Sequence, residues 1–272
     1  MLTTSNQSQT TPCSSEKVVR PVNLSLASYP RLGFMDAMLQ ASSQKPAENG
    51  IGNLSLNHVQ LCPQNRGVLD VETADALMTA FPETQFRLHA NVRVHRSPKI
   101  LDWADWNEDR SYWTDLAGLS KRLRAPAYTA HAGLRSKANL ETVLDVLSRA
   151  EQVFECPVAV EHHYPTRSNQ FLLSTWKEME MLLESNAKYV IDLSHMMIIA
   201  HMTRRRNDAL VRELLSSDRC IEVHLSWNDG FHDQHHRLPE SVEECWWWDL
   251  IGSIHPSAVV FSEGMHREKL NP

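Results

Sequence analysis

Apolar residues fall along this chain in two alternating textures. Short runs rich in Val, Ile, Leu and Ala read as strands, and longer stretches with apolar positions three and four apart read as helices. The strands predicted in this way cover 22–29, 54–62, 85–94, 125–133, 156–163, 188–195, 220–227 and 258–264. Helices are predicted at 34–39, 71–81, 114–123, 140–154, 175–185, 209–217 and 245–254, and a long insertion, SPKILDWADWNEDRSYW, precedes the third. Strand and helix alternate throughout, which is the signature of a parallel α/β fold. Eight such units in 272 residues predict a closed (β/α)8 TIM barrel, for which about 250 residues is typical. No linker-like stretch divides them, so residues 19–272 are expected to form one catalytic domain. The polar segment 1–18 reads as a disordered tail.

Metal-competent residues cluster near the ends of six of these strands. The runs finish in RLHA (His89), YTAHAG (His131), VAVEHH (Glu161), VIDLSH (Asp192 and His195), IEVHLSWND (His224) and VVFSEG (Glu263), and a DQH segment (Asp233, His235) follows the fifth. Strands covered on both faces should be continuously apolar, and a charged or imidazole side chain there is costly unless paired or metal-bound. The C-terminal strand ends are where TIM barrels build their active sites. Period-two alternation places Glu222, His224, Ser226 and Asn228 on one face of the seventh strand, and Ala159, Glu161 and His163 on one face of the fifth. Taken singly, His89 reads as a hydrogen-bonded core histidine and Asp192 as a helix cap. Nine such residues at successive strand ends point instead to a multinuclear metal site. His58, His163, Asn228 and His236 are candidates to orient the ligands, as are His162, Asp229 and His232. Trp246, Trp247 and Trp248 read as packing and pocket wall.

Composition narrows the chemistry. The net charge of -6 argues against a broad nucleic-acid surface, because neutralising phosphates needs clustered Lys and Arg. The short run Arg204-Arg205-Arg206 reads as a solvated helix edge. The five cysteines (Cys13, Cys62, Cys156, Cys220, Cys245) form no CxxC pair and suggest neither disulfides nor a thiolate zinc site. No apolar stretch is long enough to span a bilayer, and the N-terminus lacks a secretory apolar core, so a cytoplasmic location is expected. The candidate ligands are five imidazoles and four carboxylates, which suit Fe(II), Mn(II) or Zn(II). Nine donors are too many for one ion and enough for two or three.

The order His, His, Glu, Asp-x-x-His, His, Asp-x-His, Glu resembles the xylose-isomerase-like barrel superfamily, and within it the trinuclear zinc site of endonuclease IV. That resemblance implies that all nine residues are metal ligands. The flanking text is more similar to the multinuclear non-heme iron-dependent oxidative enzymes. Three stretches carry this similarity: PVAVEHHYP with FLLSTWKEMEMLLE, YVIDLSHMMIIA, and EVHLSWNDGFHDQHHRLPESVEECWWWDLI. Departures are His195 where many members have asparagine, His224-Leu-Ser in place of His-Leu-Ala-Gly, and no asparagine after Glu161. The resemblance spans roughly residues 20–265 and implies two or three Fe(II)/Fe(III) ions with O2 as co-substrate. It also implies a Cys or Asp side chain of a ribosomally made peptide as substrate, with a separate peptide-recognition protein as partner. The residue pattern leaves open a zinc or manganese phosphodiesterase and a sugar isomerase or epimerase.

Overall fold

The computed structural model describes residues 20–97 and 99–266; the expected disordered tail and Cys13 lie outside them. Eight parallel strands close into a barrel: β1 Val22–Ser25, β2 Ser55–Leu61, β3 Gln85–Leu88, β4 Tyr128–His131, β5 Val158–Glu161, β6 Tyr189–Asp192, β7 Cys220–Leu225 and β8 Val259–Ser262. The ring closes through parallel pairing of β1 with both β2 and β8. The helices around it are α1 Phe34–Gln44, α2 Val71–Ala80, α3 Arg110–Arg122, α4 Leu140–Phe154, α5 Trp176–Glu184, α6 Leu193–Thr203 and α7 Asp208–Ser216.

Local sequence explains most helix starts. Asp70, Asp109, Asn139 and Thr175 cap α2 to α5, each side chain accepting a hydrogen bond from a backbone N–H in the first turn. The apolar stripe of α4 (Leu140, Val143, Val146, Leu147, Ala150, Phe154) is buried against the barrel. No described helix is long and apolar enough to cross a membrane. Cys62, Cys156, Cys220 and Cys245 are free thiols, and burial pushes the thiols of Cys62, Cys220 and Cys245 up to about 12.

Three expectations change. The sixth unit has two helices, because α6 begins at Leu193 immediately after β6. Its segment LSHMMIIAHM is apolar nearly all round and shows no stripe, since it is buried on most sides. The stretch 245–254 forms a 3-10 segment at Trp248–Ser253 in place of an α-helix, after a shorter one at Val242–Glu244. Successive tryptophans on an α-helix would point about 100° apart, and the chain buries only the middle one, Trp247. The third strand ends at Leu88. Beyond it the insertion is anchored by Trp103, which stacks on Trp113 with centroids 5.4 Å apart and donates its indole N–H to Ala159 O at 3.0 Å.

Register brings the polar strand ends level. His131 is the lateral partner of Glu161, and Asp192 that of His224. The C-terminal mouth therefore carries these four in two adjacent pairs.

Candidate metal centre

Glu161 occupies the middle of the mouth. Its Oε2 lies 3.5 Å from His89 Nε2 and 3.5 Å from His224 Nδ1. Its Oε1 lies 3.5 Å from His131 Nε2 and 3.8 Å from His195 Nδ1. His195 Nε2 faces Asp233 Oδ2 at 3.4 Å and Asp192 Oδ2 at 3.7 Å. Asp233 Oδ2 is 3.0 Å from His235 Nε2, and the other nitrogen of His235 is 3.5 Å from Glu263 Oε2. Glu263 Oε1 closes the circuit 3.8 Å from His224 Nδ1. All nine sequence-predicted residues thus meet in one connected cluster. One nitrogen or carboxylate oxygen from each of His89, His131 and Glu161, and separately from each of Glu161, Asp192 and His224, lies within 4.8 Å of the others, close enough to share an ion.

The nitrogens and oxygens not facing the cluster are held from behind. Thr129 Oγ1 sits 3.1 Å from His89 Nδ1. His195 Nδ1 lies 3.0 Å from the backbone carbonyl of His162. Gln60, on β2, places its amide nitrogen 3.0 Å from His224 Nε2, and Glu222 Oε2 is 3.7 Å from the same atom. Beneath them Arg87 pairs with Glu222 at 3.3 Å. Asp192 has two tasks: Oδ1 caps α6 by accepting from Ser194 N and His195 N at 2.6 and 3.0 Å, while Oδ2 turns to the cluster. Such partners fix ring orientation and ligand basicity around metal sites.

His131 is steadied differently. His163 stacks on it with centroids 4.3 Å apart, and Phe171 stacks on the far face of His163 at 4.1 Å. Its Nδ1 lies 3.8 Å from Asp102, which the insertion delivers and Asn91 holds by a 3.2 Å hydrogen bond. Gly133 permits this approach: its φ is +96°, and a Cβ there would sit 2.8 Å from Ala104 Cβ and 3.0 Å from Asp102 Cβ.

The cluster is electrostatically coupled. Burial opposes charge on Glu161, yet the surrounding His224, His131 and His89 hold its carboxyl well below the usual range. Burial likewise opposes protonation of His195 and His235, but Asp192, Asp233 and Glu161 raise His195 to about 10. Asp233 and Glu263 raise His235 to about 9. Burial lowers His89 to about 3 and keeps His163 well below its ordinary value. Asp233 is held low against burial by His195 and His235, whereas burial raises Glu263. Several cluster atoms are buried with no hydrogen-bond partner: Glu161 Oε2, Asp192 Oδ2, His224 Nδ1, Asp233 Oδ1 and His235 Nδ1.

The four expected orienting residues divide. His163 reaches the cluster through its stack. Asn228 is buried one step away, donating to Ser194 O at 2.8 Å and accepting from Gly230 N, so that it ties the loop after β7 to α6. His58 points inward lower in the barrel, near Arg87 and Glu222, and its Nδ1 has no partner. His236 pairs with Trp227 through its backbone and leaves its side chain exposed. Asp229 and His232 pair with each other on the surface at 2.9 Å. Sequence reading missed Gln60 and Asp102, and it placed Glu222 on the face of His224 without giving it a role. The alternation of β2 could have found Gln60, which shares the inward face of His58. It missed Tyr164 as well, whose ring centroid lies 4.9 Å from that of His195 and whose hydroxyl is raised to about 12 by burial, with Asp233 and Asp192 nearby.

No protein-family model matches the chain, and no curated protein matches it by sequence. Solved structures do match. A D-tagatose 3-epimerase-like protein aligns over 90% of this chain and 92% of its own, with a TM-score of 0.60 and 17% identity. An AP endonuclease, family 2, from Brucella melitensis aligns over 92% and 94%, with a TM-score of 0.62 and 13% identity. The IOLI protein with a binding zinc atom aligns over 89% and 88%, with a TM-score of 0.59 and 14% identity. The chain therefore has the closed (β/α)8 TIM-barrel fold of these structures, with a nine-residue imidazole and carboxylate cluster at its C-terminal mouth.

Proposed function

We propose that this protein is a multinuclear metalloenzyme whose centre takes two or three divalent ions in contiguous subsites. The observation that carries this reading is the set of buried, partnerless atoms turned into one nine-donor cluster. Buried polar atoms are ordinarily paired, and a cation is the partner that satisfies imidazole nitrogen and carboxylate oxygen together. His89, His131 and Glu161 would hold one ion. Glu161, Asp192, His224 and Glu263 would hold a second, and His195, Asp233 and His235 a third. The donors are nitrogen and oxygen only, which fits Zn(II), Mn(II) or Fe(II).

Ions bound there supply Lewis acidity and make water a stronger acid. The protein's share is to fix the donors from behind, keep Tyr164 protonated beside them, and present an anionic substrate group to the centre. Three divalent ions would outweigh four carboxylates, so such a group is attracted. Our first reading of the chemistry is non-redox: hydrolysis of a phosphate ester by activated water. Among the similar folds, one named AP endonuclease and another, the IOLI protein, with a binding zinc atom support it better than an oxidative reading. Nine donors favour clustered ions over a single one. The substrate need not be duplex DNA, because Lys121, Arg122, Arg135, Lys137, Lys188 and Arg206 are each paired with a carboxylate.

A second reading is favoured by the text around Glu161, Asp192 and His224. It places iron in these subsites, with O2 as co-substrate and a Cys or Asp side chain of a ribosomally made peptide as target, delivered by a peptide-recognition protein. One experiment separates the two. Protein purified without oxygen is analysed for metal, then loaded with Zn(II), Mn(II) or Fe(II) and assayed on an activated phosphodiester and for O2 uptake with a candidate peptide. Turnover of the diester by the zinc or manganese form supports the first reading. Oxygen uptake by the iron form alone supports the second, and fewer than two ions per chain would sink both.

A further inference from the structure

One buried carboxylate belongs neither to the barrel nor to the cluster. Glu48 stands on a two-residue strand, Ala47–Glu48, paired antiparallel with Gly52–Asn53 between α1 and β2. It is 3% exposed. A carboxylate buried so far needs partners, and its partners come from the two segments that deliver Asp233, His235 and Glu263. Oε1 accepts from Ser262 Oγ at 3.0 Å and lies 3.0 Å from His266 Nε2. Oε2 accepts from Leu238 N at 3.1 Å and faces Arg237 Nε at 3.8 Å.

Neighbouring atoms reinforce the clamp. Asn49 Nδ2 donates to Leu238 O at 2.8 Å, and the Arg237 guanidinium donates to Ala47 O. The two clamped segments also touch each other, as Met265 N donates to His235 O at 2.8 Å. Gly264 passes so close that a Cβ there would lie 2.5 Å from Glu48 Oε1 and 3.0 Å from Arg237 Cα. The hairpin is itself seated. Gly50 turns with φ +69°, and a Cβ on it would lie 2.7 Å from Val242 Cγ1 and 2.9 Å from the Trp248 ring.

We infer that Glu48 is a positioning residue, which clamps the loop after β7 to the end of β8 and so sets the His195, Asp233 and His235 subsite against Glu263. The inference rests on the reading that this cluster binds ions, but the clamp can be tested in metal-free protein. Hydrogen exchange and zinc stoichiometry are measured for wild type, Glu48→Ala, Glu48→Gln and the milder Ser262→Ala, which keeps the carboxylate. In Glu48→Ala, amides of 232–238 and 262–266 should exchange about tenfold faster while the rest of the barrel is unchanged. Bound zinc should fall by one ion per chain. Glu48→Gln keeps an acceptor for Ser262 and should restore part of both, and Ser262→Ala should shift exchange in the same direction by less.

Unchanged exchange in Glu48→Ala and Ser262→Ala overturns the clamp. A rise throughout the barrel overturns its local role, and faster local exchange with undiminished zinc overturns positioning. Wild type that takes up no zinc, with local exchange still responding to Glu48→Ala, defeats the metal reading and leaves the clamp standing.

Discussion

Glu161 lies between His89, His131, His195 and His224, so its charge serves two of the proposed subsites directly and stands beside the third. Glu161→Gln keeps its shape and removes that charge. Zinc affinity measured by calorimetry should fall at least about 100-fold, the upper end of what losing a mere supporting group costs. The histidines make a separate prediction for the metal-free protein. His195 and His235 have folded pKa values of about 10 and 9 against an ordinary 6.5, so their stabilisation is complete below pH 6.5 and lost as pH rises through those values. His89, lowered to about 3, destabilises the fold as pH drops below 6.5, and the depressed Glu161 and Asp233 withdraw support at still lower pH. Thermal melting of the apo protein should therefore peak near pH 6.5 and decline steadily to pH 10. A flat profile from 7 to 10 would contradict the packing of His195 and His235 among carboxylates.

At the scale of elements, Asp192 joins strand, helix and cluster, and its two oxygens can be separated by mutation. Asn is as good a helix cap as Asp, so in apo urea titrations Asp192→Asn should keep the cap and lose only the charge that supports protonated His195. Asp192→Ala should lose about 1 kcal/mol more, as capped helices do, and both variants should bind zinc more weakly. Equal stability of the two variants would mean that the cap contributes nothing. The strand ends carrying His131, Glu161, Asp192 and His224 were legible because a polar residue closing an apolar run stands out against a two-sided strand. Helix α6 was not, since burial on most sides erases the stripe that marks a helix. Asp102 was hidden for another reason: its place depends on the Trp103 and Trp113 stack and on Gly133, contacts between segments that no local pattern encodes.

For the whole molecule, eight alternating units in this length predicted the closed barrel, and parallel order followed from the alternation. What sequence could not supply was level, the vertical register that puts His58 low in the barrel and His131 at the mouth. Metal should act on the molecule as a ligand of the folded state alone. At about 100 times its dissociation constant, zinc should add roughly 2.7 kcal/mol per independent site, and a chelator should reverse the gain. Scanning calorimetry with and without a chelator reads this directly. A melting temperature indifferent to both would remove the centre from the stability of the fold.

Helix α6 begins at the residue after β6, and that has a consequence for how this barrel can diversify. TIM barrels change substrates by lengthening the loops at the C-terminal mouth. Here one of those loops has no length to grow from, because Asp192 is both the last strand residue and the helix cap. Inserted residues would part the cap from the strand and lose both. That sector of the rim cannot lengthen without losing the cap, so new specificities, natural or engineered, fall to the other segments of the mouth, such as 162–175 and 226–241.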